Sequence, residues 1–189
     1  MKDCVSAPRK SIAARSLVLG TVLLFLAGCA GLDERACEQR EIENRGVKPV
    51  TTYRLVEPQA AKNLPAGSVP LVSTYKLSFK PGFTQPCSDT VLYKDVVIQR
   101  SGGDDTVLNE IREFYAEDGT LITSNTQDVT GQIRQSGSYV ATTPLPIPRK
   151  APPGKYRIVS RLMFEKHGSG RPAVQIARGE GFLYITPRE

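Results

Sequence analysis

The sequence predicts an all-β domain, an antiparallel β-sandwich, over residues 50–189. From residue 50 onward, apolar residues recur with a period of two in runs short enough for strands. Turn-forming glycine, proline, aspartate and asparagine separate these runs at spacings of roughly 8–15 residues, which is typical of sandwiches and barrels. No segment between them has the 3.6-residue period of a long helix, and this argues against an α/β arrangement.

Three strands are predicted in the first part of this domain. The first contains the alternating residues Tyr53 and Leu55. A longer alternation covers residues 69–80 and ends in a Pro-Gly turn at residues 81–82. The third run, residues 91–100, is rich in β-branched side chains. Each run predicts a strand with one buried face.

The next segment is locally ambiguous, because residues 109–114 are also compatible with a helix. Two β-prone runs flank Asp118-Gly119, however, and Asp-Gly between such runs is a strong hairpin signal. We therefore predict a hairpin here. Weaker strands are predicted over residues 126–135 and 138–143.

A proline-rich stretch follows, with five prolines between residues 144 and 153. Proline has no N–H for a sheet ladder, so the stretch predicts a connection or an extended edge segment. The clearest strand then covers residues 156–164, and two short strands, 174–176 and 182–185, complete the fold. Residues 151–159 (Ala-Pro-Pro-Gly-Lys-Tyr-Arg-Ile-Val) resemble the start of a strand that is common in immunoglobulin-like bacterial sandwiches.

The chain begins with a basic segment that contains Lys2, Arg9 and Lys10, followed by an apolar core over residues 17–26. This layout is typical of a secretory signal. The core is too short for a transmembrane anchor, which needs roughly 20 apolar residues. Leu26-Ala27-Gly28-Cys29 resembles the lipobox of bacterial lipoproteins.

The resemblance implies that the Cys29 thiol carries a diacylglycerol and that cleavage occurs just before Cys29. Residues 1–28 would then be a signal peptide, residues 29–49 a lipidated polar tether, and two or more acyl chains would give stable anchoring. Ala30, in place of aspartate, resembles the outer-membrane pattern of Gram-negative lipoproteins and implies a periplasm-facing position. The alternative is an ordinary signal peptide with an incidental cysteine.

Cys37 and Cys87 form an even pair in a chain predicted to be exported. Disulfides persist in such oxidising compartments, so we predict a bond between these two residues. The alternatives are two free thiols or a metal pair, and the lack of a nearby histidine argues against metal.

The positive charge of the chain does not indicate nucleic-acid binding. Part of the net charge of +6 lies in the segment before Cys29, and the remainder of the sequence has no dense basic cluster with interleaved aromatic residues.

Candidate catalytic and metal-binding residues are weakly supported. His167 and Ser169 lie two residues apart in a glycine-rich loop, a poor platform for a nucleophile–base pair. Asp104 and Asp105 supply too few oxygens for calcium, which takes six to eight. We interpret both segments as solvated turns, and the sequence suggests neither a metal nor a cofactor.

Glu110, Glu113 and Glu117 raise the question of a glycosidase carboxylate pair. The sequence offers no other feature of a sugar cleft, and we interpret the three residues as solvent-facing charges on a strand.

The best candidate for binding is a basic strand face formed by Lys155, Arg157 and Arg161. Arginine is well suited to recognising carboxylates, so this face predicts an acidic partner. The alternative is an ordinary solvated outer face. Together these features predict a non-catalytic interaction or accessory component of an envelope assembly. An inhibitor or ligand-binding lipoprotein, for example one acting on a host hydrolase, is the alternative, followed by a hydrolase with an unrecognised site.

Overall fold

The computed structural model describes residues 34–58, 63–101, 106–166, 168 and 170–188. The predicted signal peptide, residues 1–28, and Cys29 lie outside them. Residues 34–44 are helical. The unit Asn44–Glu189 is a sandwich of two β-sheets, which confirms the predicted fold class. Its strands are β1 (Thr52–Pro58), β2 (Leu71–Lys80), β3 (Phe83–Thr84), β4 (Asp89–Gln99), β5 (Thr106–Tyr115), β6 (Leu121–Asp128), β7 (Gly137–Pro146), β8 (Gly154–Lys166) and β9 (Val174–Ile185).

One sheet contains four strands in the order β1-β7-β4-β2, and the other contains five in the order β3-β9-β8-β5-β6. The pairings are antiparallel, except that the two-residue β3 runs parallel to β9. The predicted hairpin is confirmed: β5 and β6 are antiparallel neighbours, with Tyr115 opposite Leu121. Gly119 has a φ of +86° in the turn, a conformation that glycine adopts without steric cost.

The interior contains two apolar clusters, one at each end of the sandwich. Leu108 and Leu162 belong to the first cluster. Leu92, Ile158 and Leu183 belong to the second. The alternating strands supply both clusters, because successive side chains of a strand point to opposite faces of its sheet.

One side of the sandwich is closed by a close approach between β2 and β9. A Cβ on Gly179 would lie 2.5 Å from Leu77 Cδ1 and 2.8 Å from the carbonyl oxygen of Tyr75. The absence of a side chain at Gly179 therefore lets the two backbones meet. Sequence reasoning predicted two short strands here, but β9 is continuous. The charged Arg178 and Glu180 around Gly179 interrupt the apolar pattern without ending the strand.

On the opposite side, side-chain amides cover the edge of β1. The N–H of Thr51 donates to Gln127 Oε1 at 2.7 Å, and Gln127 Nε2 donates to the carbonyl oxygen of Thr51 at 2.8 Å. Gln132 Oε1 accepts the N–H of Tyr53 at 2.7 Å. These amides replace the backbone partners of a neighbouring strand and satisfy groups that an edge strand leaves unpaired.

The predicted strand over residues 126–135 is wrong beyond Asp128, where β6 ends. The chain then makes a helical turn, in which the N–H of Ile133 donates to the carbonyl oxygen of Val129 at 3.0 Å. Both side chains are fully buried in the first apolar cluster. Their spacing of four residues places them on one side of such a turn.

The proline stretch is not wholly a connection, since β7 continues through Pro144 and Pro146. The pairing of β7 with β1 ends at Thr142, so the two prolines have only β4 as a neighbour. At this point β7 is effectively an edge strand, which is where a missing N–H is tolerated.

Candidate functional site

The predicted basic residues lie on the outer face of β8, where each contacts a neighbouring strand. Lys155 Nζ lies 4.2 Å from the ring centroid of Phe182. The guanidinium of Arg157 lies 4.8 Å from the ring centroid of Tyr115. Arg161 forms an ion pair with Glu113. The three residues share a face as predicted, but Arg161 is neutralised within the sheet.

Exposed aromatic side chains adjoin these cations. Phe83 is 66% exposed, Phe182 42% and Tyr184 49%. Phe83 is opposite Tyr184 on β9, and on β8 Lys155 is opposite Tyr184 and Arg157 opposite Phe182. These five residues therefore form a contiguous surface, which we call the aromatic–cationic face.

Sequence reasoning missed the aromatic half of this face. Residues 182–185 were interpreted only as a terminal strand. Leu183 and Ile185 are buried, whereas Phe182 and Tyr184 between them are exposed. The alternation was the available signal, since two aromatic residues on the face opposite two buried aliphatic residues must point outward.

A second group of charges lies inside the sandwich. Lys94 on β4 and Glu110 and Arg112 on β5 are all fully buried, and we call them the buried charge cluster. Lys94 Nζ lies 2.6 Å from Glu110 Oε1. Lys94 also donates to the hydroxyl oxygens of Thr51 at 3.1 Å and Thr143 at 3.0 Å.

Further hydrogen bonds hold Glu110 in place. Ser160 Oγ donates to Glu110 Oε1 at 2.8 Å, and the hydroxyl of Tyr53 donates to Glu110 Oε2 at 3.2 Å. The hydroxyls of Tyr75 and Ser160 are 2.8 Å apart and form a hydrogen bond. The interpretation of Glu110 as a solvent-facing charge was therefore wrong, because a buried cation and two hydroxyls take the place of water.

The environment fixes the charge state of this cluster. Burial tends to raise the pKa of Glu110, but Lys94 and Arg112 outweigh this effect and hold it below its usual value. Burial lowers the pKa of Lys94 to about 8, with Glu110 opposing the shift. Burial also raises the pKa of Tyr53 well above its usual value. At neutral pH the two cations and one carboxylate leave the cluster with one net positive charge.

A cleft opens at the end of the sandwich near the second apolar cluster, with a volume of about 760 Å³. Its apolar walls include Phe114, Ile122 and Ile147, and the fully buried Arg112 also lines it. Two exposed lysines also border it: Lys48 in the segment before β1 and Lys150 in the segment after β7. We call this the apolar cleft. Sequence reasoning did not predict it, because its walls come from distant parts of the chain.

The other predicted residues have mixed outcomes. Cys37 and Cys87 are disulfide-bonded, as predicted. Glu113 accepts a hydrogen bond from the Tyr115 hydroxyl at 2.9 Å, and Glu117 Oε2 accepts the N–H of Lys155 at 3.4 Å.

Several candidate residues lie outside the described part of the chain, namely Asp104, Asp105, His167 and Ser169. Within the described part, the metal-ligating residue types do not gather in groups of three or more. Nor do the described residues include a helix with the length and apolar character required to cross a bilayer.

No family model matches this chain, and no curated protein matches it. Several solved β-domains are similar in structure. The CARDB domain of a Pyrococcus furiosus protein, solved with di-metal ions, is 15% identical, with 69% of this chain and 100% of that chain covered and a TM-score of 0.37. The C-terminal domain of wzt is 13% identical, with 77% of this chain and 86% of that chain covered and a TM-score of 0.40. The CooA pilin subunit from enterotoxigenic Escherichia coli is 10% identical, with 74% of this chain and 100% of that chain covered and a TM-score of 0.33.

Proposed function

We propose that this protein is a lipid-anchored envelope lipoprotein whose sandwich domain is a non-catalytic protein-interaction module. The partner binds the aromatic–cationic face and belongs to an envelope assembly. The observation that carries this proposal is the contiguity of three exposed aromatic rings with Lys155 and Arg157 on one sheet face.

The composition of this face favours a protein partner. Aromatic residues and arginine are enriched at protein interfaces and dominate their binding energy. Lys155 and Arg157 already lie over aromatic rings, so they are held in place before a partner arrives. A preorganised cation loses less conformational entropy on binding. Acidic groups on the partner would complement these two charges.

The anchor contributes to the same function. A lipid on Cys29 would confine the domain to the membrane surface and raise its local concentration near membrane-bound partners. The lipobox-like sequence at residues 26–29 supports the anchor, and Ala30 in place of aspartate supports an outer-membrane position facing the periplasm.

The binding proposal is tested by site-specific photocrosslinking in intact cells. A photoreactive amino acid replaces Phe182 on the aromatic–cationic face. The control replaces Lys76, an exposed residue on β2 in the other sheet. We expect one dominant adduct from position 182, absent from position 76 and reduced by Tyr184→Ala. Leu71→Ala, which removes a similarly exposed apolar residue from β2, should leave the adduct unchanged. Equal adducts from both positions, or none, would contradict the proposal.

The anchor is tested separately with Cys29→Ser. This variant should fail to take up labelled palmitate and should leave the membrane fraction. Undiminished labelling and sedimentation would overturn the anchoring proposal without affecting the proposal about the face.

A further inference from the structure

We propose that the apolar cleft is a binding site for a single-chain anionic amphiphile, such as a long-chain fatty acid. The acyl chain occupies the cleft between the sheets, and the anionic head group lies at the mouth near Lys48 and Lys150. This site is separate from the aromatic–cationic face and does not depend on it.

The dimensions and walls of the cleft fit an acyl chain. Its volume of about 760 Å³ lies within the range of roughly 300–1,000 Å³ that is typical of small-molecule sites. The residues that line it are mostly apolar and come from strands β5 to β9 and from the segments before β1 and after β7. Such walls favour an apolar ligand that leaves water. The larger apolar members are Val47, Phe114, Ile122, Leu145, Ile147, Tyr156 and Ile185.

The charges around the cleft favour an anionic head group. Lys48 and Lys150 are exposed at its border, and the described lining includes no aspartate or glutamate. Arg112, which also lines the cleft, is fully buried. Its terminal nitrogens donate hydrogen bonds to Pro49 and Gln127, whereas its Nε has no hydrogen-bond partner among the described residues. The buried charge cluster to which Arg112 belongs carries a net positive charge. The charged residues in the described lining, Lys48, Arg112 and Lys150, are therefore all cations that attract an anion. Apolar surroundings screen this attraction less than water does.

The test measures binding of a fluorescent fatty acid to the full-length Cys29→Ser chain, which lacks the lipid of its own anchor. The chain has no tryptophan, so the fluorescence of the probe is read without interference from indole. A neutral fatty alcohol of equal length and vesicles of a diacyl phospholipid compete in parallel. All variants share this background, so any binding by the apolar N-terminal segment is common to them.

We expect saturable binding of one fatty acid per chain, displaced by unlabelled palmitate but not by the vesicles. Lys48→Glu/Lys150→Glu should weaken fatty-acid binding by about tenfold, because two attractions become repulsions, and weaken fatty-alcohol binding by less than about twofold. The matched control, Lys76→Glu/Lys80→Glu on β2, should change neither. Ala151→Trp, which places a large side chain in the cleft, should abolish binding of both ligands.

Three outcomes would overturn the proposal: no saturable binding, binding that survives Ala151→Trp in a folded chain, or an equal loss of acid and alcohol in the lysine double variant. A thermal melt of each variant establishes folding. If Ala151→Trp does not fold, the comparison of acid with alcohol in the lysine variants decides the matter.

Discussion

The carboxylate of Glu110 lies 2.6 Å from the ammonium group of Lys94, and this ion pair joins the two sheets across the interior of the sandwich. Lys94 lies on the buried face of β4, between Leu92 and Val96. Glu110 lies on the buried face of β5, two residues after Leu108. A polar layer thus separates the two apolar clusters. Sliding one sheet past the other would part the two charges and place each against apolar side chains, at a high cost in free energy.

Glu110→Gln should destabilise the domain strongly. It removes the only carboxylate of the buried charge cluster and leaves Lys94 and Arg112 without a counter-charge. Breaking a buried pair in this way costs about 3–5 kcal/mol. Chemical denaturation measures the loss, and Glu117→Gln, a similar change at an exposed site, should stay within about 0.5 kcal/mol of the wild type. Equal effects of the two substitutions would contradict a structural role for the ion pair.

Stability should rise with pH between about 8 and 10. The pKa of Lys94 is lowered from 10.5 to about 8 in the folded chain. In this window the unfolded chain therefore binds more protons than the folded chain, and raising the pH favours folding. Tyr53 and Tyr75, whose pKa values are raised by burial, reverse the trend above the ordinary tyrosine pKa of 10.0.

The measurement is the melting temperature as a function of pH for the wild type and for Lys94→Met. The variant lacks the titrating amine, so the rise in stability caused by Lys94 should be absent from it. A parallel rise in both proteins would show that Lys94 is not its source. On the acid side, the lowered pKa of Glu110 stabilises the fold above the ordinary value of 4.5. That contribution should disappear as the pH falls below 4.5 towards the folded pKa.

Gly179→Ala should force β9 away from β2. The added methyl group would overlap Leu77 Cδ1 and the carbonyl oxygen of Tyr75, and backbone cannot move aside as a flexible side chain can. Overpacking of this kind costs about 1–3 kcal/mol. Gly131→Ala is the matched control, because a Cβ there meets nothing within 4 Å. Thermal melts of the two variants should differ clearly, and similar melting temperatures would refute the proposed close approach.

Removing the disulfide with Cys37→Ser/Cys87→Ser should lower the free energy of unfolding by roughly 2–4 kcal/mol, since the bond restricts the unfolded chain. Denaturation of the wild type with and without a reducing agent provides the control. The variant should match the reduced wild type. If the reducing agent destabilises the variant as much as the wild type, the disulfide is not the cause.

The strands of this domain were largely readable from local patterns, and the errors have local causes. The Asp118-Gly119 hairpin was predicted because turn chemistry acts over four residues. The break predicted within β9 falls at Gly179 and its charged neighbours. A side chain at Gly179 would collide with Leu77 and Tyr75 on β2, about a hundred residues earlier, and no local pattern reveals this. The proline stretch was predicted to be a connection or an extended edge segment, and Pro144 lies in an edge-like part of β7 because β1 stops pairing at Thr142.

Alternation and turn residues by themselves determined the all-β class and the outward position of Lys155, Arg157 and Arg161. Only the tertiary structure decided which strands share a sheet, that Glu110 faces Lys94 instead of water, and that Phe83 joins Phe182 and Tyr184 in one surface. The physical reason is that a period of two assigns a residue to one face of its strand, whereas the partner across the interior or along the sheet comes from a distant segment. Alternation therefore places Glu110 and Glu113 on opposite faces of β5, but only the packing of the two sheets decides which of them is fully buried.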